Sequence, residues 1–156
     1  MKIVAIWLLA SCFLACAVND KQSAPLIAAA TPVNVKNAKV TLQIYSGREN
    51  PSWSLSEKQI DEMLALLKDL PKAKPGDLQD GLGYQGFQVQ LTENATKKTH
   101  EIVVNKGRIL YKTAEADAYY ADRDRRLEKF LLKSGDSHLD DKLSKSIEDE
   151  IESQGN

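Results

Sequence analysis

Ser56 and Gln59, three residues apart at the head of an amphipathic run, constrain this chain more than any other feature. A serine hydroxyl that accepts from the third helical amide, with a glutamine reaching back to the serine's own amide, is a capping box, and it fixes where a helix begins. Leu55 and Ile60 flank it at hydrophobic-staple spacing. Ile60, Met63, Leu64, Leu67 and Leu70 then recur every three or four residues on one face, and Pro71 stops the run, which predicts a helix over Glu57–Leu70. A helix with a single apolar face has to bury it.

The flanking segments supply the sheet that would cover it. In "KVTLQIY" Val40, Leu42 and Ile44 alternate with polar neighbours, and Phe87, Val89 and Leu91 alternate with Gln88, Gln90 and Thr92, each the pattern of a half-buried strand. Two further strands are predicted over Thr99–Val104 and Arg108–Lys112, joined by a three-residue hairpin at Asn105–Gly107. "DRDRRLEKFLLKSG" predicts a second helix over Arg123–Lys133, with Asp122 as N-cap and Gly135 at the stop. The expected fold is a two-layer α+β domain of order β-α-β-β-β-α. Its mostly antiparallel, four-stranded sheet carries both helices on one face and shows Gln43, Gln88 and Gln90 on the other. Leu139, Leu143, Ile147 and Ile151, one apolar residue in four, predict a narrow C-terminal helix that docks or frays and adds little to the core.

With 156 residues, 42% hydrophobic and 28% charged, the chain has room for one ordinary folded domain. A net charge of −1 argues against a large basic footprint for nucleic acid. The first residues have the layout of an export signal: Lys2, an apolar run from Ile3, then small residues. The expected division is a signal over residues 1–17, a tether over 18–36, the domain over 37–135 and a C-terminal helix or tail over 136–156. Two processing routes stay open. Ala15-Cys16-Ala17 permits cleavage before Val18, whereas "LASC" and "FLAC" resemble a lipobox in which Cys12 or Cys16 carries lipid. The expected location is therefore secreted or in the cell envelope, with contact to a membrane only through a lipid anchor. Both cysteines lie in this segment, so no disulfide framework staples the domain.

Catalytic signatures are sparse. "GLGYQG" fits the dinucleotide pattern G-x-G-x-x-G, but it follows a Pro/Gly loop and leads into a strand, the reverse of the context that aims a helix N-terminus at a pyrophosphate. His100 and His138 lack metal-ligand spacing. No cofactor or metal is expected. The acidic and basic residues from Asp122 to Glu128 read as a solvated helix face. Asn94, in "ENAT", is a glycosylation acceptor if the source is a eukaryote.

The least generic run is "SGRENPSW", Ser46–Trp53. Gly47 permits unusual backbone geometry, and Pro51 holds Asn50 extended. One reading makes it a structural corner in which Asn50 satisfies loop amides, Trp53 closes the core, and Arg48 stacks on Trp53 or pairs with a carboxylate. The other gathers Arg48, Asn50, Trp53 and Tyr84 into a recognition surface for a carboxylate, a sugar or a peptide. The run resembles the S-G-R-x-N-P-x-W motif of a family of small, uncharacterised, often exported proteins. With "SWSLSEKQIDEMLALL", "GYQGF" and "RRLEKFLL" the resemblance extends from Val40 to Leu132, although Glu49 stands where that pattern usually has proline. The resemblance implies no activity. The expected function is an exported binding or interaction module, for example an inhibitor, for a protein, a peptide or a small anionic or sugar ligand. The alternative is an enzyme that uses Arg48 with a carboxylate such as Asp80 or Asp122.

Overall fold

The computed structural model describes residues 35–76 and 83–153. The expected signal, nearly all of the expected tether, Cys12, Cys16 and Asp80 lie outside them. The α+β class holds, with a larger sheet than the sequence predicts: six strands rather than four among the described residues, beside three helices, the third in the C-terminal segment where a further helix is expected. In chain order they are β1 (Val35–Leu42), β2 (Ser52–Ser54), α1 (Glu57–Lys68), β3 (Phe87–Glu93), β4 (Thr99–Asn105), β5 (Arg108–Lys112), β6 (Asp117–Ala121), α2 (Arg126–Ser134) and α3 (Asp141–Ser153). The sheet order is β2-β1-β3-β4-β5-β6, and every neighbouring pair is antiparallel. β2 and β6 carry too few alternating apolar residues to register as strands in sequence, and pairing to a neighbour decides them instead.

The two faces of the sheet differ because side chains alternate along each strand. The row Trp53, Val40, Val89, Ile102 and Tyr111, followed across the sheet by register, lies in the core, as does the row Leu42, Phe87, Val104, Ile109 and Tyr120. α1 covers this face over β1 and packs against α2, which in turn packs on β4 and α3. Both parts of the capping box are formed, and Ile60, Met63 and Leu67 are buried as the stripe requires. Each contributes about 1.5 to 3 kcal/mol by leaving water.

α3 is part of this core. Ile147 and Ile151 are 1% and 2% exposed, and Leu139 is buried too. The expected marginal role of the C-terminal stripe therefore does not hold: a narrow stripe suffices when it fills one seam against α2. α2 starts later than predicted, at Arg126, because Arg125 adopts the left-handed conformation at φ 53°. Asp122 still caps the helix from upstream, its Oδ2 accepting from the Leu127 amide at 2.7 Å. The hairpin between β4 and β5 is tighter than predicted. Asn105 pairs with Arg108, and the two intervening residues, Lys106 and Gly107, both have positive φ, the signature of a type I′ turn.

The edges of the sheet also differ. Residues 71–73 run beside β6, with the Ala73 amide donating to Tyr119 at 2.8 Å and the Ala121 amide donating to Pro71 at 3.0 Å. At the opposite edge β2 lies outermost.

Candidate functional site

Asn50 shapes the corner after β1. Its Oδ1 accepts from the Ile44 and Tyr45 amides at 3.0 and 2.8 Å, and its Nδ2 donates to Gln43 Oε1 at 2.9 Å. A short amide with two adjacent acceptor directions and a donor is what such a bend needs. The chain then returns as β2, held by the Leu42 amide on the Pro51 carbonyl at 2.9 Å. Gln43 carries the network onto the open face of the sheet. It donates to Gln88 at 2.9 Å, and Gln88 donates to Glu101 at 3.0 Å.

The four residues predicted to form one surface separate into three environments. Trp53 is 3% exposed, its Nε1 donating to Ser134 Oγ at 2.9 Å and its ring edge-on to Phe87. His138 stacks on Trp53, and Gly135 leaves room for it: a Cβ there would stand 2.7 Å from the indole. Gly135 thus serves Trp53 rather than a left-handed cap, since its φ is −95°. Arg48 does not stack on Trp53. Its guanidinium sits 3.5 Å from the centroid of the Tyr45 ring, exposed to solvent. Tyr84 is half-buried, and its hydroxyl donates to Glu128 Oε1 at 2.6 Å.

That last bond leads to a cluster the sequence reading assigns to solvent. Glu128 is fully buried and accepts five hydrogen bonds: from Tyr84, from the Lys106 and Gly107 amides at 3.1 and 2.8 Å, and from Arg125 through Nη2 at 2.8 Å and Nε at 2.7 Å. Arg125, itself 4% exposed, also donates to the Glu150 and Ile151 carbonyls at the end of α3, both at 3.1 Å. Burial pushes the Glu128 carboxyl up, but its hydrogen bonds from Arg125, Tyr84 and Gly107 outweigh this and hold it below the usual carboxylate range. Burial, reinforced by the Glu128 charge, raises the Tyr84 hydroxyl far above its ordinary value. Burial acts against the charge on Arg125 too, and Glu128 more than restores it. The signal in sequence was the spacing: Glu128 falls on the same helical face as Leu131 and Leu132, three residues after Arg125.

Such a cluster resembles a site by its displaced pKa values and a structural tie by its geometry. Geometry decides, because both carboxylate oxygens are occupied by protein donors. The tie joins the Tyr84 loop, the β4–β5 turn and the helices α2 and α3. Gly86, at φ 94°, closes that loop against β4, where a Cβ would meet the Val104 carbonyl at 2.0 Å. The chain matches no family model, no curated protein and no solved structure. What the site does has therefore to come from its own chemistry.

The remaining candidates are used elsewhere or lie apart. Asp122 is buried, its carboxylate engaged by the Leu127 amide and by Arg126 at 3.7 Å, so it does not partner Arg48. His100 Nε2 lies 3.0 Å from Glu93. Among the described residues no three His, Cys, Asp or Glu side chains group as metal ligands, and no helix is long and apolar enough to cross a membrane. A groove of about 470 Å³ between α2 and α3 is lined by Lys129, Leu132, Lys133, Ser144, Glu148 and Ile151 and includes neither Arg48 nor the Glu128 cluster. Asn94 is exposed, in the turn after β3.

Proposed function

We propose that this protein is an exported, non-catalytic binding module whose recognition residue is Arg48. One observation carries the reading: Arg48 lies on the Tyr45 ring, exposed, with no carboxylate in ion-pair range among the described residues. The ring orients the planar guanidinium and limits its freedom, and the hydrogen bonds of Asn50 hold the ring's backbone. A guanidinium held this way loses little entropy on meeting a carboxylate, which it binds through two parallel hydrogen bonds. The enzyme alternative needs Arg48 beside a carboxylate, and Asp122 is engaged in capping α2. Asn50 serves this surface through the Tyr45 amide, whereas Trp53 is bonded to Ser134 and Tyr84 to Glu128, away from Arg48 in the hydrogen-bond network.

Capture from the native extract tests the reading with three proteins: wild type, Arg48→Ala and Arg48→Lys. The expected result is a partner retained by wild type and lost from both variants, since lysine keeps the charge but not the fork. Retention of every partner by Arg48→Ala, with melting unchanged, removes Arg48 from recognition. Export is tested separately by the mature N-terminus, expected at Val18 or at a lipid-modified Cys16, and overturned by native cytosolic protein that still begins at Met1.

A further inference from the structure

The open edge of the sheet adds the form of the ligand. Hydrogen bonds between β1 and β2 run through Pro51 and Leu55, as the Leu42 amide on Pro51 and the Leu55 amide on Ala38, both 2.9 Å, show. Trp53, two residues from each and opposite Val40, belongs to the same bonded set. Ser52 and Ser54 alternate with it, so the N–H and C=O of each point away from β1. Among the described residues no strand covers them, whereas residues 71–73 cover β6 at the other edge. Both side chains are small, and no proline or inward-facing charge lies within β2 to block an incoming strand.

Charge selects what pairs there. Lys39, directly opposite Ser54 in register, and Arg48, four residues before Ser52, are both exposed and without a carboxylate in range among the described residues. On the acidic side, Glu57 is held by Lys36 at 3.5 Å, and Glu49 adjoins Arg48 in sequence. We propose that the β2 edge accepts an extended acidic peptide as a further strand, with Arg48 holding one of its carboxylates; this rests on the reading of Arg48 as the recognition residue. So short an edge gives few main-chain bonds, which is why a charged anchor beside it matters. Pairing of β2 with β2 of a second copy would bring two sets of these cations to one seam and is disfavoured.

The test uses the full chain and a displayed library of random peptides. Selection on wild type is expected to enrich peptides with Asp or Glu beside a β-branched stretch. In a resynthesised peptide, N-methylation at alternate backbone positions should weaken binding about tenfold, as expected for losing a main-chain hydrogen bond, and at the intervening positions much less. Ser54→Pro, which removes an outward N–H and leaves the β1–β2 ladder, should weaken binding to a similar degree with the urea unfolding midpoint unchanged. If Arg48→Ala abolishes binding while N-methylation at every position and Ser54→Pro leave it intact, strand addition is overturned and the Arg48 reading stands. If Ser54→Pro abolishes binding and Arg48→Ala does not, the Arg48 reading falls and this proposal with it. Enrichment without acidic residues overturns the proposal, as does a dimer abolished by Ser54→Pro, which would make the edge a self-pairing one.

Discussion

At the scale of single residues, the corner after β1 separates side chains that hold the fold from one that does not. Trp53→Ala removes a buried indole, its bond to Ser134 and its contact with Phe87, and is expected to cost about 3 to 5 kcal/mol. Asn50→Ala leaves two half-buried amides without their acceptor and should cost about 1 to 3 kcal/mol. Because those amides also position Tyr45, it should weaken partner capture as well. Chemical denaturation of the two variants, followed by far-UV circular dichroism, checks both values; an Asn50→Ala protein as stable as wild type would show that the corner holds without its amide. That a Gly-Arg-Glu-Asn-Pro run makes a tight bend was legible from its residue types. Which aromatic ring Arg48 meets was not, since Tyr45 and Trp53 are both near in sequence and only the return of β2 turns Trp53 inward.

At the scale of elements, strong local signals were readable and pairings were not. The capping box and stripe of α1 need only neighbours in sequence, and they are found as predicted. β2, three residues long, exists because β1 lies beside it, and β6 because β5 does. The role of α3 was also hidden, since a one-in-four stripe does not reveal whether a matching seam exists. It does: removing residues 139–156 takes Leu139, Ile147 and Ile151 from the core and two carbonyl acceptors from Arg125. The shortened chain is expected to lose its cooperative melting transition, and calorimetry reads this directly; a full-height transition would show α3 to be an appendage. Gly107→Ala tests the β4–β5 turn. It forces a side chain to φ 72° and places its Cβ 2.6 Å from the Asp122 carbonyl, so destabilisation by about 1 to 3 kcal/mol is expected from denaturant unfolding.

At the scale of the whole molecule, the buried tie around Glu128 sets how stability depends on pH. Glu128 is held below its ordinary 4.5 in the folded protein, so its contribution is complete above that value and is lost as pH falls through the lower folded value. Tyr111 is raised by burial, and next by Glu93, from 10.0 to about 12. Its contribution is complete below 10.0 and lost as pH rises toward 12, and Tyr84 acts in the same direction. The urea midpoint measured against pH should therefore fall on both sides of a plateau. Tyr111→Phe should flatten the alkaline limb, and an unchanged limb would assign that loss to other groups. The molecule divides into a buried tie around Glu128 that holds it and an exposed cation, Arg48, for which we propose recognition of a partner. Equilibrium urea unfolding of Arg48→Ala beside Glu128→Gln tests that division most directly. Glutamine turns one acceptor atom into a donor facing donors and leaves Arg125 a buried charge without its partner, at a cost of about 3 to 5 kcal/mol. Arg48→Ala removes one exposed cation–aromatic contact and should cost about 0.5 to 1 kcal/mol. An Arg48→Ala protein as unstable as Glu128→Gln, or a Glu128→Gln protein as stable as wild type, would contradict it.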